Sequence, residues 1–225
     1  MSVLLVAATA GEVGPLMTRL GGGTSALGLG TPVPVTDRLS VLVTGVGMVA
    51  TAAACARALA SGHYDMALNV GVCGSFSPSL SPGAVVNVVK DCFPELGAED
   101  GEAFLSIHEL GLLGEDEAPY SRAWLPNPDA LPSATLRSLP RVRGVTVNTV
   151  TGTDATVEAV MARLSPHVES MEGAAFMYAC LTAGVPFAQV RAVSNRVERR
   201  NRANWKMGDA LSALTTTVAA ILAEL

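Results

Sequence analysis

Aromatic residues are scarce in this 225-residue chain, 4% of the total, and charged residues account for only 16%. With few large rings available, the core must come from Ala, Val and Leu, and a hydrophobic content of 49% is ample for one. That balance leaves little room for extended disorder. Basic residues are also short: the formal net charge is −5, whereas broad contact with a phosphate backbone needs clustered Lys and Arg. No nucleic-acid partner is therefore expected. Cys55, Cys73, Cys92 and Cys180 stand far apart with no CxxC spacing, and His63, His108 and His167 form no HxxxH or Cys/His group. The cysteines fit reduced thiols in a cytoplasm, and no metal site is expected. The opening Ser2-Val3-Leu4-Leu5-Val6-Ala7-Ala8 has neither a basic leader nor the length of a membrane span, so it reads as the first strand of a soluble protein without a membrane partner. No Pro/Ser-rich linker and no fixed-period repeat interrupts residues 1–225, which implies a single domain.

What is present is an alternation of two periods. Apolar runs of strand length recur at 3–8, 39–43, 66–70, 84–89, 145–150 and 187–193. Between several of them, at 11–20, 48–61, 154–164, 171–183 and 204–225, apolar residues fall three and four apart. This predicts an α/β domain with helices on both faces of a largely parallel sheet. The Pro- and Gly-containing span 91–140 is too long for a plain turn and suggests a lid or an oligomer contact.

In such sheets ligands bind beyond the carboxyl ends of strands, and several candidates fall there. Glu172, in the run Glu169-Ser170-Met171-Glu172-Gly173-Ala174-Ala175, starts an apolar helix beside unpaired N–H groups, an arrangement suited to holding hydroxyl groups. Ser194 and Asn195 end a later apolar strand. Glu12 follows the first strand and serves either as a helix-dipole partner or as a proton acceptor. Gly45-Val46-Gly47-Met48-Val49-Ala50 matches the dinucleotide pattern GxGxxA, but it follows the second strand, and Asp65 precedes the next strand where ribose recognition needs it at the carboxyl end. What remains is a glycine turn that is either structural or offers N–H groups to an anion or polar oxygen. Asn69 to Ser75 forms a second glycine turn, which either lines a ligand or marks a strand-to-loop transition with Gly71 and Gly74 at positive φ. Arg196, Arg199, Arg200 and Arg202 make either a solvated charged loop or a site where one arginine meets an anionic substrate group.

In this order Glu12, residues 45–50, residues 69–75, Ser170-Met171-Glu172-Gly173-Ala174-Ala175 and Arg191-Ala192-Val193-Ser194-Asn195 resemble the purine nucleoside phosphorylase and nucleosidase superfamily over nearly the whole chain. Residues 95–101 and 194–202 are most similar to its futalosine hydrolase branch. The resemblance implies a three-layer α/β/α sandwich with a central mostly parallel, mixed sheet, and hydrolysis of the N-glycosidic bond of a small-molecule nucleoside. It implies no metal or organic cofactor, and a cytoplasmic homo-oligomer. Glu12 would activate water and Glu172 would bind ribose hydroxyls, with Met171, Arg191, Ser194, Val72, Gly74 and Thr156 around the substrate. Asn195 stands where adenine-specific relatives carry aspartate; an amide can donate to the O6 of a 6-oxopurine, which implies hypoxanthine as the leaving base, on the route to menaquinone. The 45–50 turn has no arginine for phosphate, and Val72 replaces a serine, so water is the implied nucleophile. Arg196, Arg199, Arg200 and Arg202 are candidates for a substrate carboxylate. The alternatives are a methylthioadenosine/S-adenosylhomocysteine-type nucleosidase, a phosphorylase, or a nucleoside-binding module without chemistry.

Overall fold

The computed structural model describes residues 1–25, 27–127 and 131–225. In chain order the elements are β1 (Val3–Ala7), α1 (Ala10–Arg19), β2 (Val33–Thr36), β3 (Leu39–Val43), α2 (Met48–Ser61), β4 (Met66–Ser75), β5 (Val85–Asp91), β6 (Gly97–Asp100), β7 (Ala103–Ser106), β8 (Leu125–Pro126), α3 (Ala134–Ser138), β9 (Arg141–Thr146), α4 (Asp154–Leu164), β10 (Val168–Ser170), α5 (Gly173–Ala183), β11 (Phe187–Arg196) and α6 (Met207–Glu224).

The main sheet runs β10-β9-β5-β11-β4-β1-β3-β2, with β8 on β5. β1 is buried throughout because β3 and β4 pair with it in parallel on either side while helices cover both faces, which is why it reads as an unbroken apolar run. The β5–β11, β2–β3 and β5–β8 pairings are antiparallel, so the sheet is mixed. β10 pairs with β9 and also, antiparallel, with the end of β4, so β4, β11, β5, β9 and β10 close into a ring. The α/β/α sandwich is as expected; the ring is an addition that depends on a strand of 3 residues too short to stand out by periodicity.

One helical layer joins α1 and α6, whose Ala210, Leu214, Val218 and Ile221 form a buried stripe at helical spacing. The other joins α2 and α5 over Leu4, Val6, Leu42 and Ala67 on the opposite face. Fully burying each such Leu or Val contributes roughly 2 kcal/mol, so the two layers hold the sheet between them. Several element limits differ from expectation. The strand expected at 145–150 lies earlier, as β9: Val142 and Val145 are buried, whereas after Thr146 the chain leaves the sheet with the Val147 N–H on the Ser170 carbonyl at 3.0 Å. β4 runs on through Ser75 and β11 through Arg196, so residues 69–75 are strand and not a turn. In the 91–140 span, β6 and β7 form a hairpin whose Phe104 lies under Arg163, 4.2 Å from ring centroid to guanidinium, and Tyr120 packs on Tyr178 of α5 with ring centroids 6.2 Å apart. Residues 128–130 of that span lie outside the described residues.

Candidate active site

The ends of β1, β4 and β11, the β10–α5 junction and the loop after β9 enclose a cavity of about 500 Å³. Glu12 enters it from the first turn of α1. One carboxylate oxygen turns back to the Thr9 N–H at 3.0 Å, and the other accepts the Val72 N–H at 3.2 Å. The β4 backbone, not a side chain at position 72, thus fixes this acid. Burial pushes the Glu12 carboxyl above its ordinary range, Glu172 adds to that, and Arg191 with the Val72 and Thr9 N–H groups pulls the other way.

Glu172 caps α5 and is 5% exposed. Its Oε1 accepts the Gly47 N–H at 3.1 Å, and its Oε2 pairs with Arg191 Nη1 at 3.4 Å. The glycine turn at 45–47, with both glycines at positive φ, therefore serves a carboxylate of the chain itself. Arg191 is fully buried on β11, and each nitrogen is engaged: Nε donates to Gln189 Oε1 at 3.1 Å and Nη2 to Asn69 Oδ1 at 2.6 Å. The network continues from Gln189 Nε2 to Asp91 Oδ2 at 3.1 Å, and Thr146 Oγ1 donates to Asp91 Oδ1 at 3.0 Å while accepting the Ala174 N–H at 2.7 Å. Burial pushes the Asp91 carboxyl up to about 6 despite these donors. Gly71 and Gly74 do not adopt positive φ; they are places of close approach. A Cβ on Gly71 would lie 2.5 Å from Arg191 Nη1 and 2.7 Å from Glu12 Oε1.

Asn195 lines the cavity beyond a β-bulge between Val193 and Asn195. Bulges re-aim side chains, and this one turns Ser194 and Asn195 inward together. Ser194 Oγ lies 3.2 Å from the Cys73 carbonyl and 2.8 Å from Asn195 Oδ1, and Asn195 Nδ2 donates to the Arg196 carbonyl at 2.8 Å, which among the described residues leaves its second N–H for a ligand acceptor. Cys73 also lines the cavity, but burial pushes its thiol to about 12, so it is no nucleophile at neutral pH.

A family model described as the phosphorylase superfamily matches residues 32–225. The chain is 35% identical over 191 residues to a futalosine hydrolase of Streptomyces coelicolor, covering 81% of this chain and 77% of the relative. It is 34% identical over 223 residues to a futalosine hydrolase of Acidothermus cellulolyticus, covering 97% and 89%. The chain belongs to the futalosine hydrolase family of the phosphorylase superfamily. A solved futalosine hydrolase mutant of Helicobacter pylori superposes with a TM-score of 0.83 at 15% identity over 100% of both chains, a likeness of fold.

In this family member Glu12, Val72, Gly74, Met171, Glu172, Ser194 and Asn195 do line one cavity, and Arg191 stands directly behind Glu172. Thr156 does not line it: its N–H and hydroxyl both meet the Thr153 hydroxyl that caps α4, and the residue is exposed. The arginines do not line the cavity either. Arg199 pairs with Asp154 at 3.4 Å on the surface, and Arg196 is exposed. Arg200 and Arg202 lie over the Trp205 ring, 5.4 and 5.9 Å from its centroid, and Trp205 is a cavity wall. Sequence reasoning passed over Trp205, Thr151 and Glu169, which all line the cavity. None of them left a clear signal: Glu169 sits between Val168 and Ser170 in a strand of 3 residues with no apolar run to mark it. Among the described residues no group of His, Cys, Asp and Glu is arranged to hold a metal ion.

Proposed function

We propose that the chain is a futalosine hydrolase, cleaving the N-glycosidic bond of futalosine with water to release hypoxanthine and dehypoxanthine futalosine on the route to menaquinone. The observation that carries this reading is the meeting of Glu12, Glu172 and Asn195 on one cavity, in a chain 35% identical to a futalosine hydrolase. Glu172 has two oxygens already oriented by Gly47 and Arg191, and its remaining lone pairs accept ribose hydroxyls. As the bond from C1′ to N9 lengthens, the sugar gains oxocarbenium character, which the carboxylates of Glu172 and Glu12 stabilise. Water adds its oxygen to C1′ and gives a proton to Glu12, whose raised affinity for protons suits it to accept one. The base leaves with the bonding electrons and takes a proton at N7. Asn195 has no proton to supply, so that proton comes from solvent, and the amide holds the product by donating to O6 and accepting from N7–H. Arg200 and Arg202, beside Trp205 at the rim, are the arginines best placed for the substrate's carboxylate.

Incubation with futalosine, inosine and methylthioadenosine, with and without phosphate, tests the reading. Free hypoxanthine from futalosine without phosphate is expected; strict dependence on phosphate would reject hydrolysis. A homo-oligomer is part of the proposal, supported by an apolar groove of Met48, Val49, Ala52, Phe93, Tyr120 and Tyr178 beside the cavity, with Val49 78% exposed. A monomeric mass in light scattering at micromolar concentration would remove that part. Four free, buried cysteines suit a reducing, cytoplasmic setting.

A further inference from the structure

We infer that Glu169 reads the base: its carboxylate accepts the N1–H of a 6-oxopurine and repels the N1 lone pair of a 6-aminopurine. The inference rests on the proposed nucleosidase reading and deepens it. Glu169 is only 3% exposed, yet it lines the cavity. Among the described residues no cation pairs with it, and the nearby charged group acting on it is Glu95, which together with burial raises its carboxyl above the ordinary range. An isolated buried carboxylate costs several kcal/mol, so it needs donors. Thr151 supplies two, its N–H to Oε1 at 2.9 Å and its hydroxyl to Oε2. An ionised carboxylate offers about four acceptor sites, so two remain for a ligand.

The register places this acceptor opposite Asn195. Gly74 of β4 pairs with Glu169 of β10 on one side and with Asn195 of β11 on the other. Residues paired across neighbouring strands present side chains to the same face, and two strand spacings put the two backbones roughly 10 Å apart. Gly74, with no side chain, lets Val197 and Asn195 close over it, since a Cβ there would lie 2.7 Å from Val197 Cγ2 and 3.3 Å from Asn195 Nδ2, and with Val197 it forms an apolar floor between the two polar walls. A purine plane laid across that floor offers O6 and N7 toward Asn195 and N1 toward Glu169. Hypoxanthine has a donor at N1; adenine has a lone pair there. Both walls therefore favour the same base, Asn195 through O6 and Glu169 through N1.

The test compares kcat/KM for futalosine and its 6-amino analogue in wild type, Glu169→Gln and Thr151→Val. Glu169→Gln is expected to lose about ten- to hundredfold of the preference for the 6-oxo substrate. Thr151→Val, which removes a support of the carboxylate but not the carboxylate, is expected to lower both substrates together. If Glu169 merely holds the loop, the two variants behave alike and the ratio stays put, which overturns the inference. An independent arm needs no variant: hypoxanthine should inhibit wild type at least tenfold better than 1-methylhypoxanthine, and equal inhibition would overturn the inference as well. Wild type inactive on futalosine would instead refute the functional reading, so the two failures are distinguishable.

Discussion

Replacing Gly71 by alanine tests whether the spacing between Glu12 and Arg191 sets the catalytic geometry. The backbone there is ordinary strand, so alanine brings no conformational strain and the effect is purely steric. Its Cβ would sit 2.5 Å from Arg191 Nη1 and 2.7 Å from Glu12 Oε1. Reaching an ordinary contact of about 3.4 Å requires movement of about 0.9 Å at the guanidinium and about 0.7 Å at the carboxylate. Arg191 has little freedom to yield, since Asn69, Gln189 and Glu172 hold all three of its nitrogens. Glu12, held by the Thr9 and Val72 N–H groups and the Thr9 hydroxyl, yields more readily, and the backbone of β4 takes up the rest. Misplacing a reacting group by about 1 Å can cost about 10²-fold in rate, and overpacking a buried site typically costs about 1–3 kcal/mol. Steady-state release of hypoxanthine from futalosine, measured well below the melting temperature, should show kcat lowered by about two orders of magnitude. Urea unfolding should show the smaller loss of stability. A folded Gly71→Ala protein with kcat within about twofold of wild type would refute the claim that this contact positions the base.

Glu12→Gln removes the proposed proton acceptor while preserving its bonds in part, so kcat should fall about 10²- to 10⁴-fold with KM little changed; unchanged turnover would end the proposed mechanism. Because burial raises the Glu12 carboxyl, the acidic limb of wild-type kcat/KM should sit above the ordinary glutamate range, and a limb at or below that range would contradict it. Asn195→Asp should weaken action on 6-oxopurine substrates relative to 6-amino ones, and an unchanged ratio would remove Asn195 from base recognition. Asp91, raised from 3.8 to about 6 in the fold, makes the native state bind more protons than the unfolded chain between those values. Its contribution therefore lowers stability as pH rises from about 4 to about 6. Thermal melts across that window should show Asp91→Asn losing this part of the slope, whatever its own cost, and identical slopes would refute the assignment.

Strand β1, helices α2 and α4 and the cores of β4 and β11 were legible because each is long enough to display its period. β10 was not, and neither was the early start of β9, since alternation in residues 145–150 looks the same in a strand and in a loop pinned by Ser170 and Glu95. The site divides in the same way. Glu12, Glu172 and Asn195 could be picked out locally, because an acid at the start of a helix after an apolar strand, or an amide at the end of such a strand, stands out against its neighbours. Thr156 and the arginines followed from resemblance and proximity in sequence, and neither guarantees that a side chain turns toward the cavity. Thr156 instead closes a helix cap, and Arg199 pairs with Asp154.

By itself the sequence determined the alternation of layers and the acids at strand ends, because periodicity and residue chemistry are local properties. Only the tertiary structure decided that Gly71 admits Arg191 against Glu12, that Gly47 holds Glu172, and that Glu169 and Asn195 pair with Gly74 from either side. Those relations join residues far apart in the chain through strand register, which no local pattern encodes.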